Sequence, residues 1–224
     1  PRRLRATRSS PVTASLGPAA PPMDARLEDS LGRLAGGDAE TSPILVVPYM
    51  WIGDFVRCHT VVRVLKARFP SRPVDVVATS LMAPLADYMP GVRQAVVADI
   101  PHRRLAIGQQ AARARRLRRE GYGTALVMSR KWKAALAPFL AGIPERIGYV
   151  GEGRFGLLNA PRWGERRLPR MVDQCAALAL PAGAPLPPAW PPPRLAVPAA
   201  EIADWRARRG LGDEPSVVAL APGA

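Results

Sequence analysis

An aspartate set between a buried apolar run and a helix is the first place in this chain where chemistry could be done. The stretch reads Ile44-Leu45-Val46-Val47-Pro48-Tyr49-Met50-Trp51-Ile52-Gly53-Asp54-Phe55-Val56-Arg57. A carboxylate at Asp54 can act as a general base, taking the proton from a hydroxyl as that hydroxyl attacks. An aspartate before a helix is also a favoured N-cap, because its oxygens accept the unpaired N–H groups of the first turn. Residue types alone leave both readings open. Gly53 beside it allows either a positive φ or the close approach of a ligand.

Basic residues are expected to gather near the same place. Arg103 and Arg104 follow a third apolar run, and Arg130, Lys131 and Lys133 follow a fourth. In a parallel sheet these strand ends and Asp54 share the carboxyl edge, where ligands collect. Such a crevice suits a polyanionic acceptor. It suits nucleic acid less, because readers of single strands interleave aromatics with their basic groups; Trp132 is the only aromatic inside a basic cluster. Arg113, Arg115, Arg116, Arg118 and Arg119 fall at helical spacing. They read first as a solvated face, and second as a face for an anionic membrane surface, where each cation gains about 1 kcal/mol.

Composition narrows the class. The net charge is +14 over 224 residues, 48% of them apolar, which is enough for a sizeable core and a strong field for anions. Cys58 and Cys175 are the only cysteines, so no disulfide framework is expected. No His/Cys/Asp/Glu cluster has metal-ligand spacing, no G-x-G-x-x-G directly follows the first strand, and no G-x-x-x-x-G-K-[ST] occurs. No metal and no cofactor are therefore expected. No apolar run nears the ~20 residues that cross a bilayer, and the N-terminus has no apolar h-region of a secretory signal.

The elements that must position Asp54 alternate. Apolar runs at 44–47, 74–78, 94–98, 124–128 and 146–149 predict strands covered on both faces. Helical spacing predicts helices over 55–69, 81–88, 106–120, 133–141, 171–180 and 199–209. This alternation implies an α/β chain with a parallel, doubly wound sheet. Residues 1–43, rich in Pro, Ala, Ser and Arg, read as a disordered or loosely packed extension; the chain opens on Pro1 without a methionine, and Met23 is a candidate start. Residues 44–180 form the main domain, 181–198 a Pro-rich linker, and 199–224 the start of a second α/β unit, with a strand at 216–220. That unit is expected to be truncated.

Several segments together resemble a known family. They are Trp51-Ile52-Gly53-Asp54, Ser129-Arg130-Lys131-Trp132-Lys133-Ala134-Ala135, and Phe139-Leu140-Ala141-Gly142-Ile143-Pro144-Glu145-Arg146-Ile147-Gly148-Tyr149. To these add Gly151-Glu152-Gly153-Arg154-Phe155-Gly156-Leu157-Leu158-Asn159 and the terminal Ala221-Pro222-Gly223-Ala224. The ordered set is similar to the ADP-heptose:lipopolysaccharide heptosyltransferases of glycosyltransferase family 9, most of all their type II branch, over roughly residues 44–224. The resemblance implies a GT-B fold of two Rossmann-like domains, with this chain holding the N-terminal, acceptor-binding one and the start of the donor-binding one. It implies an inverting transfer of L-glycero-D-manno-heptose from ADP-heptose to the inner core of lipopolysaccharide, with Asp54 as the base. Arg103, Arg130, Lys131, Lys133 and Arg146 would bind the carboxylates and phosphates of the lipid A–core acceptor, joined by Gly53 and Arg104. Pro222, Gly223 and Ala224 would touch the donor. The enzyme would act in the cytoplasm, peripheral to the anionic inner face of the membrane, and this fragment would not turn over alone. The alternatives are a sister transferase of the same family with another acceptor, and a non-catalytic basic module that binds anionic lipid.

Overall fold

The computed structural model describes residues 41–99 and 107–211. Within them β1 (Ile44–Val47), β2 (Val74–Ala78), β3 (Val92–Val97), β4 (Thr124–Val127), β5 (Glu145–Tyr149) and β6 (Ala160–Arg162) build one sheet. Their order is β3-β2-β1-β4-β5-β6, and every pairing is parallel. The first three strands therefore run outward from β1 in one direction and the last three from β4 in the other. The order reverses between β1 and β4, and at such a switch point the loops splay apart and leave a crevice.

Both faces of the sheet are covered. Successive side chains of β1 alternate: Ile44 and Val46 join one apolar cluster, Leu45 and Val47 the other. The first cluster takes in Phe55, Val62 and Leu65 from α1 (Ile52–Arg57) and α2 (His59–Arg68), and Cys175 from α6 (Met171–Ala177). The second takes in Ala114 and Leu117 from α4 (Ile107–Glu120) and Ala135 and Ala137 from α5 (Trp132–Ala141). A short α3 (Ala83–Ala86) follows β2, and α7 (Ala199–Arg208) closes the described chain. Among the described residues no helix is long and apolar enough to cross a membrane.

Close packing fixes some residue choices. A Cβ on Gly148 in β5 would stand 2.6 Å from the carbonyl oxygen of Val127 in β4, so the strand pair tolerates only glycine there. Gly142 ends α5 in the left-handed region (φ 73°), and Arg118 from α4 donates to the carbonyls of Leu140 and Ala141 at 2.7 and 3.3 Å. That satisfies carbonyls which a helix end otherwise leaves unpaired.

Three expectations are corrected. The predicted helix over 55–69 begins earlier, at Ile52, and is jointed at Cys58. The Cys58 N–H reaches both Asp54 O (2.9 Å) and Phe55 O (3.2 Å), the tightened pattern of a helix joint. The sixth strand is additional; it has three residues, and its central Pro161 hides it from any strand pattern. The Pro-rich stretch is not a free linker. Thr60 Oγ donates to Pro191 O (3.0 Å), Arg63 to Pro192 O (2.8 Å), and Trp190 Nε1 to Asp173 (2.8 Å). Ala196 N–H reaches Tyr88 O at 2.8 Å, so the segment lies as a strap along α2 and α6. The predicted strand at 216–220 lies outside the described residues.

The strap contains an acid-sensitive joint. His59 is fully buried; its Nε2 stands 2.8 Å from Pro90 O, so it carries the proton, and its Nδ1 accepts the Arg194 N–H at 2.8 Å. Only neutral imidazole can do both. Burial lowers its pKa below the usual 6.5, and the nearby Arg63 and Arg194 act in the same sense, against the bond to Pro90. A histidine whose folded pKa is depressed contributes stability that is complete above the unfolded value and is lost as pH falls from there through the folded one. Acidification from pH 7.5 to 5 is therefore expected to lower the unfolding temperature and to lower the protection of the Arg194 amide, relative to its intrinsic exchange rate at each pH, before that of β1. Equal protection of that amide at both pH values would remove His59 as the cause.

Candidate functional site

Asp54 sits at the switch point. Chain leaving β1 turns through Pro48–Trp51, and Trp51, with extended dihedrals, is the N-cap of α1. Asp54 is therefore the third residue of the helix and not its cap, and no side chain caps that end. The carboxylate instead pairs with Arg57 one turn on, Oδ1 to Nη1 at 2.7 Å, with its own side chain 19% exposed. The same Nη1 stands 3.1 Å from the Met171 sulfur at the start of α6. Gly53 has no positive φ, and a Cβ there would meet nothing within 4 Å. A positive φ is therefore not the reason for a glycine here, and the position faces open space.

Across the switch point, the loop after β4 carries Arg130 and Lys131. Arg130 lies 3.5 Å from Glu165, and Lys131 is paired with Glu152. This hydrogen bond from Lys131 is the main reason that the Glu152 carboxyl is held below the usual carboxylate range. Glu152 has a φ of +36°, a conformation that side chains other than glycine seldom adopt. Lys133 is the second residue of α5 and is half-buried. Arg103, Arg104, Pro222, Gly223 and Ala224 lie outside the described residues.

Arg146 is the expectation that the fold does not bring to the crevice. It is the second residue of β5, in register with Ala125 near the start of β4, and so belongs to the amino edge of the sheet. Its guanidinium holds the carbonyls of Leu157 (2.7 Å) and Ile143 (2.5 Å), and it stacks over Phe139 at 5.5 Å. A basic residue early in a parallel strand faces the end opposite to the ligand edge.

Several groups at the crevice were not singled out from sequence. Buried Arg154 reaches back from the loop after β5 to donate to the carbonyls of Ser129 and Tyr149, which ties the β4 and β5 exits together. Burial lowers its pKa, while Tyr49 and Glu165 oppose that shift. Tyr49 after β1 is pushed up to about 12 by burial first, then by Glu165 and Cys175. Cys175 of α6 is likewise raised to about 12 by burial, then by Asp54 and Glu165. Asp54, Tyr49, Cys175, Glu165, Arg130 and Arg154 thus form one electrostatic neighbourhood. Among the groups not singled out, Arg57 is the one with a sequence signal, its place three residues after Asp54 on a helix. Chemically the site offers a carboxylate with an attached guanidinium, beside two further cations, at an open crevice. It can orient and deprotonate a hydroxyl of an anionic ligand.

Residues 111–224 match glycosyltransferase family 9 (heptosyltransferase). The chain is 35% identical to lipopolysaccharide heptosyltransferase 2 of Escherichia coli (strain K12) over 189 residues, 81% of this chain and 54% of the relative. The solved structure of E. coli ADP-heptose LPS heptosyltransferase II superposes with a TM-score of 0.66 at 34% identity, covering 77% of this chain and 52% of that one. The family 9 glycosyl transferase of Veillonella parvula DSM 2008 shares the fold, with a TM-score of 0.65 at 14% identity over 80% of this chain and 52% of that one. The chain spans about half the length of the relatives it matches. Its parallel α/β sheet is that of a GT-B fold. By its sequence and by its fold, the chain belongs to glycosyltransferase family 9, the heptosyltransferases.

Proposed function

We propose that this chain is the acceptor-binding part of an inverting heptosyltransferase of type II. In this reading heptose passes from ADP-heptose to the anionic inner core of lipopolysaccharide, and the donor is held mainly by residues beyond those described. The observation that carries the reading is the placement of Asp54 at the β1/β4 switch point, with Arg130 and Lys131 across from it. Asp54 takes the proton of the acceptor hydroxyl as that oxygen attacks the anomeric carbon; the bond from that carbon to the ADP oxygen breaks, and ADP leaves. Arg130 and Lys131 exchange their carboxylate partners for the acids of the acceptor. Exposed Arg115, Arg116 and Arg119 on α4 support a position at the inner face of the cytoplasmic membrane.

The test uses a protein that joins this chain to the C-terminal half of its relatives. With ADP-heptose and heptose-deficient lipid A–core in phosphatidylglycerol vesicles, the expected product is acceptor extended by one heptose of inverted anomeric configuration. The protein should sediment with those vesicles at low salt and leave them at high salt. Preference for another sugar nucleotide, or no transfer to the core, would overturn the assignment.

A further inference from the structure

A cleft of about 410 Å³ opens beside Asp54, between the α1–α2 joint, the start of α6 and the strap. That volume lies within the range of about 300–1,000 Å³ usual for small-ligand sites. Among the described residues Arg57 and Arg170 are its only charged lining residues, and Thr60, Trp190 and the strap prolines form much of the rest. The acids paired with those arginines are not part of the wall. Asp173 is turned inward, 6% exposed, and is held by Arg170 and by the indole N–H of Trp190. The arginine side chains, by contrast, are 46% and 65% exposed. The cleft is thus positive at its surface and walled by an indole and pyrrolidine rings. A guanidinium that has one carboxylate partner can add a second acid through its remaining N–H groups.

We infer that this cleft is a subsite for an acidic sugar of the acceptor, its carboxylate or phosphate on Arg57 and Arg170 and its ring against Trp190. The inference rests on the acceptor reading above and adds a device to it. Arg57 is shared: the arm that lines the cleft also holds Asp54 through Nη1. An acid bound in the cleft on the remaining N–H groups of Arg57 shares its charge, loosens its hold on Asp54 and frees that carboxylate for the acceptor hydroxyl. The base is then released by the ligand whose proton it takes.

Titration calorimetry on residues 1–224 tests this with two probes: deacylated inner-core oligosaccharide carrying both carboxylates and phosphates, and the same material after phosphatase treatment. Arg57→Gln and Arg170→Gln are each expected to weaken binding about tenfold. Arg208→Gln, exposed on α7 and outside the lining of the cleft, is expected to leave it unchanged. If phosphate is the bound group, the loss appears only with the phosphorylated probe; if carboxylate, it appears equally with both. Should Arg170→Gln fail to fold, as read by far-UV circular dichroism, Arg57→Gln and Arg57→Lys carry the test, the lysine losing less than the glutamine. Unchanged affinity of a folded Arg57→Gln for both probes overturns the subsite alone. No binding of either probe by the unaltered chain overturns the acceptor reading with it.

Discussion

Asp54→Asn should cut heptose transfer by about 10²–10⁴-fold, the usual contribution of a positioned general base, in a protein that carries this chain and the C-terminal half of its relatives. The substitution keeps the size of the side chain and one of its oxygens while removing the proton acceptor. Acceptor affinity should change little, because the cations at the crevice remain. Stability should change little as well. Among the described residues the carboxylate's ion pair is to half-exposed Arg57 three residues away, and such helix-surface pairs contribute less than about 1 kcal/mol. Steady-state transfer, acceptor titration and the unfolding midpoint separate the readings. Lost transfer with retained binding and midpoint identifies the base. Unchanged transfer leaves Asp54 as the partner of Arg57 and nothing more, and no transfer by the unaltered protein is what a non-catalytic lipid-binding module would show.

The largest effect on folding is expected at Asp75, the second residue of β2. Its carboxylate is fully buried and accepts from Arg93 Nε (2.8 Å) and Nη2 (2.5 Å), Gln94 Nε2 (3.0 Å) and Tyr122 OH (2.5 Å). Arg93 also reaches Glu120 at the end of α4 at 3.1 Å, so one carboxylate joins β2, β3, α4 and the approach to β4. Burial, then the bond to Asp75, raises the Tyr122 pKa and keeps its phenol a donor. Asp75→Ala would leave the Tyr122 phenol without its acceptor and would leave Arg93 and Gln94 with Glu120 alone. A buried donor left unpaired costs about 1–3 kcal/mol, and the part-exposed Arg93, still held by Glu120, adds less; together they are a sizeable share of the about 5–15 kcal/mol by which domains are stable. Urea unfolding should show the midpoint falling accordingly, with Asp75→Asn losing less. A midpoint within experimental error of the unaltered chain would mean that the network does not hold the sheet.

The parts of this structure that were legible in the sequence are those that follow from burial on both faces. β1 and β2 have the bounds expected of them, because a strand covered by helices on each side must be continuously apolar. Asp75 sits inside such a run, and what makes it tolerable are donors 18 to 47 positions away, which no local pattern displays. The joint at Cys58 is hidden because Phe55, Cys58, Val62 and Leu65 keep a helical spacing straight through it. Strap residues read as a linker because proline lacks an N–H; their attachment runs through carbonyls instead, accepting from Thr60 and Arg63. In the site, Asp54 and the loop after β4 were found because a parallel sheet places strand exits together. Arg146 was misplaced because resemblance gave it a role without giving the edge of the sheet on which it lies.

β6 is the outer strand on one side of the sheet, and its three residues have Pro161 at the centre. An open strand edge is a template on which another chain can pair and from which aggregates grow. Proline has no N–H to offer, and a row this short cannot hold a ladder in register. The feature that concealed the strand from its sequence therefore also protects the folded chain against edge-to-edge growth on that side.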